Sequence, residues 1–112
     1  VKWNKNLNRL SLITDYIKEN YDSDLSLETL AKIFGYSPTY LSRMFQKYAG
    51  INYRSYLQSI RLERALQELS NTDHTISETA LNNGFPNSRA LAKAFQKKYG
   101  ILPSEYCKRT RK

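Results

Sequence analysis

The chain has 112 residues, enough for one compact domain or two very small ones, and its 40% hydrophobic content is enough to build a modest core. Lys and Arg number 18 against 10 Asp and Glu, and the resulting net charge of +8 favours an anionic partner. The single cysteine, Cys107, excludes an intrachain disulfide or a cysteine-based metal site and favours a reducing, cytoplasmic setting. The apolar runs are too short for a signal peptide or a membrane span.

Helical periodicity extends over almost the whole chain. Apolar residues recur at steps of three and four, and the alternation typical of strands is absent, so we predict an all-α fold. Ser26 and Asn52 are predicted to cap the helices that follow them, Thr75 and Glu78 have the spacing of a capping box, and Pro38 suits the first position of a helix. The predicted helices cover approximately residues 7–20, 26–34, 38–48, 53–69 and 88–98, with a further helix between Thr75 and Gly84.

An internal repeat is the clearest sign of how the chain is organised. The sequence matches itself at an offset of about 50 residues. The unit that is duplicated is a helix, a tight turn and a second helix. Leu27, Ala31, Gly35, Tyr36, Leu41, Phe45, Gly50 and Tyr56 match Ile76, Ala80, Gly84, Phe85, Leu91, Phe95, Gly100 and Tyr106.

The second helix of each repeat has an apolar face and a polar face, which we predict to face the core and the solvent. In 38–48 the apolar face contains Tyr40, Leu41, Met44, Phe45 and Tyr48, and the polar face contains Thr39, Ser42, Arg43, Gln46 and Lys47. In 88–98 the apolar face contains Ala90, Leu91, Ala94 and Phe95, and the polar face contains Arg89, Ala92, Lys93, Gln96 and Lys97.

The helix between the repeats changes its apolar side midway. Tyr53, Leu57 and Ile60 share one face, whereas Leu62 and the leucines after it lie about 180° round. We expect each half to pack on one repeat, so that a helix of about 25 Å holds two small bodies apart. The expected organisation is a first helix-turn-helix subdomain in 1–52, a linking helix in 53–70, and a second helix-turn-helix subdomain with a basic tail in 71–112.

Two exposed basic helices suggest recognition of duplex DNA, because the major groove admits one α-helix and is read by its side chains. Arginine and lysine suit guanine, glutamine suits adenine, and a small apolar side chain suits the methyl group of thymine. The candidates are Arg43, Arg89 and Lys93 for guanine, Gln46 and Gln96 for adenine, Ala92 for thymine, and Thr39 and Ser42 as less specific contacts.

Other basic side chains and helix N-termini are candidates for phosphate contacts, which give affinity without sequence choice. The C-terminal tail, 108–112, is either a phosphate-binding segment or a disordered, solubilising end. The phosphate candidates are the helix starts at Ser26, Thr75 and Asn87 and the side chains of Lys47, Arg61, Lys97, Lys98 and Arg109.

The order and spacing of these residues resemble the DNA-binding domain of the AraC/XylS family of bacterial transcription regulators over about residues 7–109. The first repeat carries Leu27-x-x-x-Ala31-x-x-x-Gly35-Tyr36-Ser37 and Leu41-Ser42-Arg43-x-Phe45. Arg61-Leu62-x-x-Ala65 follows in the linking helix, and the second repeat carries Gly84-Phe85, Phe95-x-Lys97-x-Tyr99-Gly100 and Pro103-Ser104-x-Tyr106.

The resemblance implies a seven-helix, homeodomain-like fold that binds promoter DNA, often to activate transcription, with RNA polymerase as a further partner. It also implies a separate sensing or dimerising domain, with which the missing initiator methionine agrees. Carried over by position, the base-reading sites are Pro38, Thr39, Ser42 and Arg43 in the first repeat and Ser88, Arg89, Ala92 and Lys93 in the second.

Catalysis is not expected, and we expect neither a metal nor a cofactor. His74 lies in a loop without a second histidine nearby, and the glutamates show no paired acid and base. The alternative function is a protein-interaction module whose basic faces bind an acidic partner such as RNA polymerase. RNA binding is a weaker third option, because no aromatic platform for single strands is evident.

Overall fold

Seven helices make up the part of the chain that the structure describes. The computed structural model describes residues 2–111, with side chains from Asn8 onwards, and within this range it contains helices and no strands. The all-α prediction and the number of helices are therefore confirmed. The helices are α1 (Lys2–Asn20), α2 (Leu27–Phe34), α3 (Pro38–Ala49), α4 (Tyr53–Asn71), α5 (Ile76–Asn82), α6 (Ser88–Tyr99) and α7 (Pro103–Thr110).

Several helix ends differ from the prediction, and α3 and α6 each end one residue later than expected, at Ala49 and Tyr99. Helix α1 begins at Lys2 rather than near residue 7, since no glycine or proline in residues 2–6 interrupts it. Helix α4 continues two residues past Leu69, to Asn71. Helix α5 ends at Asn82, and its C-cap residue is Asn83 rather than Gly84.

The predicted capping residues form the expected hydrogen bonds. Ser26 Oγ accepts from the Thr29 amide at 3.1 Å, and Asn52 Oδ1 accepts from the Ser55 amide at 2.8 Å. The capping box is complete at the start of α5, where Thr75 Oγ1 accepts from the Glu78 amide and Glu78 Oε1 accepts from the Thr75 amide. These bonds fix where each short helix begins.

Chain contacts divide the protein into two compact units, residues 1–58 and 59–112, with the division inside α4. In the first unit, α3 packs on both α1 and α2. The buried side chains of the first unit come from α1, α2, α3, the first part of α4 and the loop before α2. They are Leu10, Ile13, Ile17, Leu25, Leu30, Ala31, Leu41, Met44, Phe45, Tyr53 and Leu57. The buried Tyr53 hydroxyl donates to the Leu25 carbonyl at 2.5 Å.

In the second unit, α6 packs on α5 and α7. Phe95 is fully buried, and its ring contacts those of Tyr99 and Tyr106 at centroid distances of 4.7 and 5.7 Å. The core is completed by side chains from α4, α5 and α6 and by Phe85 of the turn between α5 and α6. It consists of Leu62, Ala65, Leu69, Ala80, Phe85, Leu91, Ala94 and Phe95.

The C-terminal segment is ordered as far as it is described. Lys108 and Arg109 belong to α7, and Arg111 donates from Nε to the Leu69 carbonyl at 3.2 Å and from Nη2 to the His74 carbonyl at 2.8 Å. Of the two alternatives left open for the tail, a disordered end is therefore wrong for 108–111. Lys112, the last residue of the predicted basic tail, lies outside the described residues.

Candidate nucleic-acid interface

The base-reading candidates of the first repeat lie together on α3. Pro38 and Thr39 are exposed in its first turn, and Ser42, which is half-buried, lies one turn further on. Arg43 and Gln46 extend the same surface along the helix and are both exposed. The opposite side of α3 is buried through Leu41, Met44 and Phe45. The helix is thus anchored by one face and presents the other to solvent.

Helix α6 repeats this arrangement in the second unit. Arg89, Lys93 and Gln96 are exposed, and Ser88 and Ala92 are half-buried between them. Leu91, Ala94 and Phe95 anchor the other face in the core. The structure therefore groups the five candidates of each repeat on one side of one helix, as the helical pattern predicts.

The start of α6 borders an open concavity of about 360 Å³ within the second unit. It brings together the N-terminal turns of three helices, whose free amide groups favour negative charge. Arg89 adds a full positive charge to the same place. The lining residues are Thr75, Ile76 and Ser77 of the α5 turn, Ser88, Arg89 and Ala92 of α6, and Leu102, Pro103 and Ser104 of the α7 turn.

The phosphate candidates fall into three groups. The side chains of Ser26, Thr75 and Asn87 accept hydrogen bonds from amides in the first turns of their own helices. The lysines and Arg109 are exposed, and Lys47 and Lys98 lie 5.4 and 5.5 Å from the ring centroids of the tyrosines that follow them. Arg61 is half-buried and already interacts within the protein.

The predicted core face of α3 is wrong at Tyr40. The helical pattern assigned it to the apolar side, but its side chain is 42% exposed. Its ring packs against Tyr36 of the turn, with centroids 5.3 Å apart and planes at 42°. Tyr40 lies at the boundary between the two faces, where periodicity alone does not decide burial.

Glu68 organises the second unit in a way that the sequence pattern did not reveal. It accepts from His74 Nδ1 and Asn82 Nδ2 at 3.1 Å and from the buried Asn83 Nδ2 at 3.2 Å. Burial raises the pKa of the Glu68 carboxyl, but the hydrogen bonds from Asn82, His74 and Asn83 outweigh it and leave this pKa below its ordinary value. Because the partners are 6 to 15 residues away, only the fold shows them.

His74 itself is 47% exposed in the loop before α5, where the sequence placed it. No group of three histidine, cysteine, aspartate or glutamate side chains among the described residues is arranged to hold a metal ion. None of the helices in the described part of the chain combines the length and hydropathy needed to cross a lipid bilayer.

Comparison with known proteins identifies the family. Residues 30–109 match the family described as helix-turn-helix domain. The C-terminal domain of the two-component response regulator YesN from Fusobacterium nucleatum is 34% identical, with a TM-score of 0.86 over 89% of this chain and 98% of that domain. The chain belongs to the AraC-type helix-turn-helix family. The family resemblance and the fold inferred from the sequence are thereby confirmed.

Two further comparisons concern function. The DNA-binding domain of the transcriptional factor AdpA, solved with a target DNA, is 25% identical and has a TM-score of 0.86, covering 91% of this chain and 92% of that one. The helix-turn-helix-type regulator YijO of Escherichia coli is 42% identical over 94 residues, which are 84% of this chain. This AraC-type domain is thus a DNA-binding domain of transcription regulators, and the comparisons favour DNA binding over the alternative of a protein-interaction module.

The domain spans only part of the regulators that it matches. It covers 33% of YijO and 14% of a Staphylococcus aureus regulator to which it is 33% identical over 101 residues. Both relatives are bacterial proteins.

Proposed function

We propose that this AraC-type domain reads DNA sequence by placing α3 and α6 in two successive major-groove segments of one duplex. The observation that carries the proposal is the duplicated arrangement: each helix buries one face and carries its five base-reading candidates, which are exposed or half-buried, on the other. A solvated basic face on a single helix is common. Two such faces at equivalent positions of a sequence repeat favour one ligand whose own surface recurs at regular intervals. Duplex DNA has such a surface, since its grooves recur at each turn.

The side chains of the two helices differ, and so will the bases that they prefer. On α3, Arg43 is the one basic side chain among the candidates, with Gln46 suited to adenine. On α6, Arg89 and Lys93 are one helical turn apart and both suit guanine, while Ala92 between them suits a thymine methyl group. We expect a target site with one guanine contact in the half bound by α3 and two in the half bound by α6.

The exposed lysines and Arg109 supply phosphate contacts, and the helix turns at Ser26, Thr75 and Asn87 supply backbone amides. Arg61, which is half-buried, fits a phosphate contact made by a side chain that the protein has already oriented. These contacts increase affinity for every sequence and make it depend on salt.

The linking helix is proposed to set the spacing of the two base-reading helices. Helix α4 is continuous over 19 residues, or about 28 Å, and is buried through Tyr53 and Leu57 in the first unit and through Leu62 and Leu69 in the second. An uninterrupted helix that belongs to both cores supports the division into a subdomain in 1–52, a linking helix in 53–70 and a subdomain in 71–112. One chain then suffices to occupy both groove segments.

The regulator that contains this domain is proposed to act in the bacterial cytoplasm, where the chromosome is, by binding alone rather than by catalysis. The matched relatives are three to seven times longer than the matched region, which supports an additional sensing or dimerising domain.

Activation through RNA polymerase is part of the proposal. Transcription in vitro from a promoter that carries the selected site should rise when the domain is added, and an unchanged transcript level contradicts activation by this domain.

Selection of bound duplexes from a random pool at about 150 mM salt tests the proposed sequence reading. We expect an enriched motif that covers two major-groove segments, with submicromolar affinity for it and much weaker affinity for scrambled duplexes. Equal affinity for all duplexes at this salt concentration contradicts sequence-specific recognition. An RNA duplex of matched length serves as the control for nucleic-acid class.

A further inference from the structure

The pair of rings formed by Tyr36 and Tyr40 belongs neither to the core nor to the base-reading positions. Tyr40 is 42% exposed and Tyr36 is half-buried, and their centroids are 5.3 Å apart. Within the part of the chain that the structure describes, neither hydroxyl has a hydrogen-bonding partner. Two polar groups are therefore presented to solvent on rings that support each other.

The position of Tyr40 on α3 places its hydroxyl at an edge of the base-reading face. At about 100° per residue, Tyr40 lies about 60° from Arg43 and about 20° from Lys47, two turns further along. Both of these basic side chains are exposed. When a helix lies in the major groove, the centre of its exposed face meets base edges, and its margins meet the phosphates that border the groove. Tyr40 is on such a margin, in the same row as Lys47.

The second repeat has no counterpart to this pair. The residues equivalent to Tyr36 and Tyr40 are Phe85, which is 8% exposed, and the half-buried Ala90. Neither carries a hydroxyl. The basic content of the two helices also differs, with two basic residues on α3 and four on α6. A neutral donor is thus found on the helix that has fewer charges with which to attract the DNA backbone.

The ring contact with Tyr36 makes the Tyr40 hydroxyl suited to bind a ligand. A tyrosine has only two side-chain torsions, and packing against Tyr36 restricts them before any ligand arrives, so little entropy remains to be lost on binding. The phenolic hydroxyl donates readily to a phosphate oxygen, and tyrosine is among the side chains that make such contacts.

We propose that the Tyr40 hydroxyl, on a ring positioned by Tyr36, donates a hydrogen bond to a backbone phosphate beside the groove segment bound by α3. The proposal rests on the proposed binding of α3 in the major groove. It adds a neutral contact that is specific to the first repeat and explains why an aromatic side chain of the recognition helix is exposed.

Replacing Tyr40 by phenylalanine tests the contact, since the ring stays and only the hydroxyl is lost. We expect Tyr40→Phe to bind the selected duplex about tenfold more weakly, because a hydrogen bond to a charged group is lost. The factor should be the same for scrambled duplexes, and the dependence of affinity on salt should not change, since a neutral donor releases no counterion. Lys47→Ala should instead reduce the salt slope by about one. Tyr16→Phe on α1, whose ring contacts Phe34 edge-on, is the matched control and should bind as wild type does.

Replacing backbone phosphates one at a time by uncharged methylphosphonates locates the partner. At one position beside the half-site of α3, the replacement should weaken binding by the wild-type protein and have little further effect on Tyr40→Phe. Wild-type affinity of Tyr40→Phe overturns the proposal, and so does a changed base preference, which indicates a base contact. A wild-type domain that selects no sequence at all contradicts the proposed function instead, so the two failures are distinguishable.

Discussion

Among single residues, Arg111 is a charged side chain whose hydrogen-bonding partners are determined by the fold. From the sequence it is one of several basic residues in a tail that is equally consistent with phosphate binding and disorder. In the structure its guanidinium donates to the carbonyls of Leu69 and His74, which are 42 and 37 residues away. It therefore satisfies acceptors at the end of α4 and in the loop before α5. No spacing rule in the sequence indicates contacts of this kind.

Glu68 makes the stability of the second unit depend on pH. Its folded-state pKa is below the ordinary value despite burial, because amide groups and His74 donate to the carboxylate. A lowered pKa stabilises the folded state above the unfolded-state value of roughly 4.3, and this contribution is lost as the pH falls through the folded-state value. We expect the free energy of unfolding of the second unit to fall more steeply below pH 4 in wild type than in Glu68→Gln. Denaturant titrations at pH 7 and pH 3 measure this.

Glu63→Gln is the matched control for this measurement, since Glu63 is exposed on the same helix. An acid dependence that is identical in wild type and Glu68→Gln contradicts the assignment. Glu68→Ala should in addition cost about 1–3 kcal/mol at pH 7, because it removes an acceptor bound by the buried Asn83 amide.

Arg43 and Lys98 represent the two kinds of DNA contact that we propose. Arg43→Ala should relax base preference at one position in the half-site of α3, at a cost of about 1–3 kcal/mol on the preferred base. Lys98→Ala should weaken binding to all duplexes by a similar factor and reduce the salt slope by about one. Competition binding with single-base variants of the selected site separates these outcomes. A uniform loss in Arg43→Ala contradicts its role in base reading.

At the scale of helices and turns, the tight turn of the first repeat depends on Gly35. This residue has φ +74°, and the next residue, Tyr36, donates from its amide to the Ala31 carbonyl at 2.8 Å. A side chain there has room but meets a backbone conformation that costs roughly 1–2 kcal/mol. We expect Gly35→Ala to lower the free energy of unfolding of the first unit by this amount, as measured by denaturant titration. An unchanged stability contradicts this account of the turn.

Local sequence signals predicted these elements well where they report short-range physics. The cap at Ser26, the capping box at Thr75 and the apolar anchors of α3 follow from contacts within four residues, and all appear in the structure. The start of α1 and the exposure of Tyr40 were missed for opposite reasons. The first lacks a local signal, and the second lies on a boundary of the helical wheel where tertiary packing decides. The DNA contacts themselves remain predictions, because their partner is a separate molecule.

The whole described chain is organised by the repeat and by the linking helix α4. Each unit has its own buried core, and α4 contributes to both of them. The charge distribution follows the same plan, since α3 and α6 expose basic residues while α2 and α5 have glutamates in their first turns. Our proposal that α4 sets the spacing of the two base-reading helices on DNA requires no second subunit.

Changing the phase of the two half-sites tests whether α4 holds the two base-reading helices at a fixed spacing. Inserting five base pairs between the halves of the selected site turns them by about half a helical turn. We predict that affinity for this duplex falls to that of a duplex that contains only one half-site, whereas ten inserted base pairs restore the facing but exceed the reach of α4 and do not restore affinity. Affinity for the five-base-pair insertion equal to that for the original site would contradict two base-reading helices held at a fixed spacing.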